Sequence, residues 1–225
     1  MAPNPCASES RHPRIAIRGA GVEAHQLFRG ARGSHAVVRR YNHQARMEQD
    51  IDRILIHRDQ LAVRVRELGA EIAQSYDDRD TRLTLVTILS GAIIFLADLI
   101  RELPMKMHIG LITVSSYRGA TTGSLEPQLL RELDHDVSGR DVLVIDDILD
   151  TGKTLRLVHR ILADQGPRSI KTAVLLRKTA KAPSDVRVDF VGFDIADEFV
   201  VGYGLDYDNH YRNYPHIAVL KPELY

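Results

Sequence analysis

The sequence predicts an α/β fold: a twisted, mostly parallel sheet flanked by helices, with a small subregion of short strands toward the C-terminus. Three observations carry this. The stretches 83–89, 142–145 and 171–176 are predominantly apolar, strand-length and do not alternate, which is how strands buried on both faces of a parallel sheet read. Amphipathic helical patterns lie between them, in the order expected of βαβ units. After the last long run only short apolar stretches follow, at 188–193, 199–203 and 217–220.

Taken in order, residues 1–46 are rich in Arg, Gly, Ala and His without sustained periodicity, and are expected to be disordered. Their Arg-rich, acid-poor composition is similar to an organellar transit peptide; the alternative favoured here is that Met47 is the true start and the folded domain spans 47–225. Residues 51–56 read as a short strand or extended lead-in. Asp59 is placed to cap a helix whose Leu61, Val65, Leu68 and Ile72 share one face. Strand 83–89 ends at a Ser90-Gly91 turn. A helix over 92–103, apolar nearly all round, stops at Pro104. Strand 108–115 leads into a polar, Gly-containing stretch to 126, and 129–133 returns as the other arm of a long hairpin. After strand 142–145, Leu155, Val158, Ile161 and Leu162 mark one face of a helix.

The chain of 225 residues is long enough for one sizeable domain with a full core, and 44% hydrophobic with 27% charged residues is ordinary for a globular protein. A formal net charge of zero gives no reason to expect a nucleic-acid partner. The longest apolar run, 92–97, is too short to span a bilayer. A single cysteine, Cys6, rules out an intramolecular disulfide framework and fits a reducing compartment such as the cytoplasm. The neutral total hides an asymmetry. Residues 1–46 hold eight arginines and two acids, which leaves 47–225 with 22 basic and 28 acidic residues, a formal charge of −6. An acidic body handling anionic substrates calls for a divalent cation.

The stretch 142–155, VLVIDDILDTGKTL, carries the most chemistry. A buried strand, an acidic pair, a Gly-containing turn and a helix start make an anion site, because the free N–H groups and the dipole of the helix point at the turn. The GKT is not a P-loop: the glycine required five residues before Gly152 is Asp147. Carboxylates beside a phosphate repel it unless Mg²⁺ intervenes or a sugar offers them hydroxyls. A phosphate on one side and a ribose on the other describes a phosphoribosyl group.

This stretch resembles the phosphoribosyl-diphosphate (PRPP) signature of type I phosphoribosyltransferases. Four further stretches, 89–103, 115–117, 175–179 and 188–213, resemble the hypoxanthine-guanine branch of that family. The resemblance implies the type I fold, with a small hood and a flexible active-site loop. It implies purine salvage: hypoxanthine or guanine plus PRPP gives IMP or GMP and pyrophosphate, with xanthine a third candidate base. Asp146 and Asp147 would hold the ribose hydroxyls, partly through Mg²⁺. Asp150 would be the general base on the purine N7 proton, and Asp150, Thr151, Gly152, Lys153 and Thr154 would cradle the 5′-phosphate. Lys178 would donate to the purine 6-oxo group, Phe199 would stack on the base, and Val200 would contact it through its backbone. Asp206 would lie near the purine 2-position and contact a second Mg²⁺. Leu89, Ser90, Gly91 and Arg212 would bind pyrophosphate, and Ser116 and Tyr117 would belong to the closing loop. Two residues depart from the family pattern, since Ser90 and Glu198 stand where lysines are common. The resemblance also implies a cytoplasmic homodimer or homotetramer without nucleic-acid or membrane partners. The competing class is a PRPP-binding regulator of the same fold, which the acidic body and the lack of a DNA-binding pattern disfavour.

Overall fold

The computed structural model describes residues 43–76, 82–116, 127–131 and 133–224. The chain runs α1 (His43–Asp50), β1 (Ile51–Ile56), α2 (Arg58–Gln74), β2 (Leu83–Leu89), α3 (Ile93–Glu102), β3 (His108–Ser116), β4 (Pro127–Arg131), β5 (Asp141–Leu149), α4 (Lys153–Ala163), β6 (Ser169–Lys178), β7 (Phe190–Ile195), β8 (Val200–Val201) and β9 (Ile217–Leu220). Six strands form one sheet in the order β4-β3-β2-β5-β6-β7. All neighbours are parallel except β4, which returns antiparallel on β3 as the expected hairpin.

The central strands β2, β5 and β6 are buried on both faces, which is why they do not alternate in sequence. Leu83, Leu85, Leu143 and Ile145 pack under α2 and α3, with Leu61, Leu68, Phe95 and Leu99. Val86, Ile88, Val142 and Val144 point the other way, onto Leu155, Val158 and Leu162 of α4. Each strand thus divides its side chains between two cores with the two-residue period of the pleat.

Several elements differ from expectation. The helix beginning near Asp59 is capped by His57, whose backbone N–H donates to Gln60 Oε1 at 2.9 Å, and Asp59 lies inside its first turn. Helix α3 is not apolar all round in its packing: Phe95, Leu96 and Leu99 are buried, whereas Ile93 is 47% exposed. Strand β5 continues through Asp146 and Asp147 to Leu149, because Asp146, Ile148 and Leu149 still pair with β6. The stretch expected as strand 199–203 pairs with β9 only at Val200 and Val201, and Gly202, Tyr203 and Gly204 then turn the chain with positive φ. Strand β7 begins at Phe190 rather than at 188. The small subregion is not purely C-terminal: β1 pairs antiparallel with β9, giving a second sheet in the order β1-β9-β8.

Helix α1 runs across position 47, the expected start of the folded domain. The expectation of disorder over 1–46 otherwise lies outside the described residues, as does Tyr117 of the expected loop. Ser116 is the last residue of β3, where it pairs with Pro127. Among the described residues, no helix is long and apolar enough to cross a membrane.

Candidate active site

The parallel strands end together on one edge of the sheet. The chain leaves β2 toward β3 on one side and enters β5 on the other, so the crevice between β2 and β5 is the point where the winding reverses. Ligands of open α/β sheets bind at such points, beyond the strand C-termini. Here a cleft of about 1100 Å³ opens. Ser90 and Gly91 line it from the end of β2, residues 146–155 from β5 and the start of α4, and Asp206, Asn209 and Arg212 from the loop after β8. The Leu89–Ser90 peptide is cis.

Asp146 is only 5% exposed, and its Oδ1 accepts the backbone N–H of Asp147 at 3.1 Å. Burial, and then the neighbouring Asp147 carboxylate, push its pKa well above the ordinary range. Asp147 is also raised by burial, an effect opposed by hydrogen bonding and by the Arg212 charge. Gly91 packs directly on this pair: a Cβ there would lie 1.7 Å from Asp147 Oδ2. Arg212 pairs with Asp206 Oδ1 at 2.8 Å and donates to the Gly204 carbonyl at 2.8 Å. Its loop holds Tyr203, Asp208, Asn209 and Tyr211 at positive φ, a concentration of backbone strain of the kind found at functional sites.

The turn after β5 is shaped by Gly152, whose φ of +72° is the left-handed conformation that starts α4. Gly152 is the N-cap. Its surroundings exclude a side chain, since a Cβ would lie 2.8 Å from Pro183 Cγ. Arg156 steadies the turn, donating to the Thr151 carbonyl at 3.2 Å while both ends of its guanidinium fork meet Asp185. The first turn of α4 therefore presents its N–H groups to the cleft with no acidic side chain among them.

A second recess, of about 570 Å³, is lined by Lys178, Asp197 and Phe199 among others. Lys178 is 7% exposed, at the end of β6. Its ammonium donates to Asp150 Oδ2 at 3.1 Å and to Asp197 Oδ1 at 3.2 Å. Asp150 Oδ1 is buried and, among the described residues, has no hydrogen-bond partner. Phe199 meets Tyr207 edge-on, with centroids 5.6 Å apart. Val200, expected to contact the base, is buried where it pairs with Val219 and lines neither the cleft nor the recess. Glu198, one of the two departures, is ion-paired with Arg53 of β1.

The fold thus gathers Leu89, Ser90, Gly91, Asp146, Asp147, Asp150, Thr151, Gly152, Lys153, Thr154, Asp206 and Arg212 around one cleft, and Lys178 and Phe199 around the recess. The Lys178–Asp150 pair joins the two. Asp206 lines the cleft rather than the recess. Sequence reasoning did not single out Asp197, Lys181 or Asn209. Only the local crowding of acids at 194–198 hinted at the first. Among the described residues no three His, Cys, Asp or Glu side chains cluster closely enough to hold a metal by protein ligands alone.

Comparisons with known proteins agree on one family. The profile of the phosphoribosyl transferase domain matches residues 50–208. The hypoxanthine-guanine phosphoribosyltransferase of Bacillus subtilis (strain 168) is 42% identical over 179 residues, 80% of this chain and 98% of the relative. The enzyme of the same name from Mycobacterium avium is 42% identical over 180 residues, 78% of this chain and 89% of the relative. A crystal structure of a hypoxanthine phosphoribosyltransferase from Staphylococcus aureus superposes with a TM-score of 0.74 at 38% identity, covering 80% of this chain and 96% of the other.

Proposed function

This chain belongs to the phosphoribosyltransferase family, and from that premise we propose that it is a purine-salvage enzyme that transfers the phosphoribosyl group of PRPP to hypoxanthine or guanine. The products are IMP or GMP and pyrophosphate. One observation carries the choice of base: Lys178 and the bare Asp150 Oδ1 lie side by side. A 6-oxopurine presents the same edge in complement, an oxygen acceptor next to the N7–H donor. Lys178 retains an N–H for the oxygen, and Asp150 Oδ1 accepts the proton. Adenine offers an amino donor where the oxygen should be and leaves Lys178 unanswered.

In the reaction, purine N9 attacks C1′, the bond from C1′ to pyrophosphate breaks with its electron pair, and the N7 proton passes to Asp150. Asp146 and Asp147 accept the ribose hydroxyls at the floor of the cleft. The N–H groups of 151–154 hold the 5′-phosphate, and Arg212 with the Ser90-Gly91 turn holds the leaving pyrophosphate. Two adjacent carboxylates, raised in pKa and open to a cleft for phosphates, suit Mg²⁺, a hard cation that keeps waters and takes its remaining oxygens from substrate. Asp146 and Asp147 would hold it, with Asp206 beside Arg212 as a further oxygen donor, and it would neutralise the developing charge on pyrophosphate. The exposed Ile109 and Leu111 of β3 support association of identical subunits, as a dimer or tetramer.

The test is Asp150→Asn, which keeps shape but not basicity. We expect kcat to fall by roughly 10²–10⁴ with PRPP binding nearly intact. An unchanged kcat would remove Asp150 from the base role.

A further inference from the structure

The Lys178 ammonium has three N–H donors, and two are committed: one to Asp150 Oδ2 and one to Asp197 Oδ1. Asp197 lies between β7 and β8, where its second oxygen holds Lys181 at 2.8 Å. The hydrogen bond from Lys181 draws the Asp197 carboxyl below its ordinary pKa, so it stays anionic at neutral pH. A lysine is a point charge on a flexible four-carbon stem, and a buried one takes its direction from its anions. With one anchor the third N–H sweeps a cone; with two, on different segments, it has one direction. Asp150 alone cannot supply both, because its other oxygen is the one needed for the proton.

We propose that Asp197, braced by Lys181, is a positioning residue that aims the third N–H of Lys178 at the acceptor oxygen of the base, and thereby sets the preference for a 6-oxo over a 6-amino purine. The inference rests on the Lys178–Asp150 reading above. Asp197 acts through the ammonium alone. Without it Lys178 collapses onto Asp150, which misdirects the donor and crowds the oxygen that accepts the proton.

A double-mutant cycle tests this, using Asp197→Asn, Lys178→Met and the pair, assayed with hypoxanthine, guanine and adenine at saturating PRPP. The Asp197 side chain is 39% exposed, so the fold should tolerate its neutral isostere. We expect Asp197→Asn to lower kcat/KM for both 6-oxopurines about tenfold, the loss of one charge-assisted hydrogen bond. The margin over adenine should narrow, the KM for PRPP, read with PRPP varied at saturating hypoxanthine, should hold, and nothing further should be lost once Lys178 is Met. An equal loss in both backgrounds would make Asp197 a structural residue and overturn the proposal. No loss from Asp197→Asn beside a strong loss from Lys178→Met would overturn the proposal and leave the base reading standing. No loss from Lys178→Met would overturn both. Lys181→Ala, at an exposed side chain, should reproduce the Asp197→Asn pattern in weaker form, and wild-type selectivity in that variant would count against the bracing role.

Discussion

A methyl group at position 91 would stand 1.7 Å from Asp147 Oδ2, so Gly91→Ala must drive that carboxylate out of place. The glycine belongs to a turn lining the cleft, so the fold should survive while kcat/KM for PRPP falls at least ~10-fold, the effect of misplacing a group proposed to hold substrate. Steady-state kinetics beside a thermal melt would separate the two. Asp146 behaves oppositely. Its folded pKa is raised by burial first and by Asp147 second, so the unfolded chain releases its proton at lower pH than the folded one does. Stability from this group is full below the ordinary carboxylate pKa and is lost as pH rises through the folded value. Asp146→Asn should therefore raise Tm at about pH 7 while lowering activity, and the gain should shrink toward about pH 4. A lower Tm for Asp146→Asn at neutral pH would contradict this. Such residues were legible in sequence where they crowd along the chain: Asp146, Asp147 and Asp150 stand together in one short stretch and line one cleft. Asp197 was not legible, because its meaning comes from Lys178, nineteen positions away, and from a buried ammonium that no one-dimensional pattern records.

Among elements, the two-core sheet was readable because burial on both faces leaves unbroken apolar runs. The β1–β9 pair was not, since a short alternating stretch cannot name a partner 160 or more residues away. The length of β5 was missed for the opposite reason: hydrogen bonds to β6 carry the strand on through two aspartates that composition assigns to a turn. The start of α2 shows what such contacts do. The Arg58 N–H donates to His216 Nδ1 at 3.0 Å, an unusual acceptor at a helix start. Only the neutral ring can accept it. Burial lowers the His216 pKa, His57 and Arg58 add to this, and Asp59 and Glu48 oppose it. The unfolded chain therefore takes the proton first, so stability is full above the ordinary histidine pKa of about 6.5 and is lost as pH falls through the folded value. His216→Asn keeps an acceptor without the titration. Its Tm should fall less than that of the wild type between about pH 7.5 and about pH 5.5, and equal slopes would show that another group is responsible.

At the scale of the whole molecule, the N-terminal boundary can be argued from what α1 holds. Its last residue, Asp50, is tied twice to distant chain: its carbonyl accepts the Lys221 N–H at 2.9 Å, and its Oδ2 accepts the Tyr211 hydroxyl at 2.9 Å. Tyr211 adjoins Arg212, so the end of α1 braces the loop that supplies the arginine proposed to bind pyrophosphate. The helix itself is eight residues, His43–Asp50, and a start at Met47 removes half of it. Four residues leave no room for a sustained i to i+4 ladder, and short helices stand only on their tertiary contacts. The boundary expected from sequence thus falls inside an element, and we place the domain start ahead of His43. A chain beginning at Asn42 should match the full chain in kcat/KM and Tm. A chain beginning at Met47 should keep its kcat, because Asp50 and its partners remain, but melt at lower temperature as the frayed turn loosens the Tyr211 brace. Equal melting of the two shortened chains would show that residues 43–46 contribute nothing to stability. Loss of activity already at Asn42 would show that the preceding segment takes part in the enzyme and would move the boundary back toward residue 1.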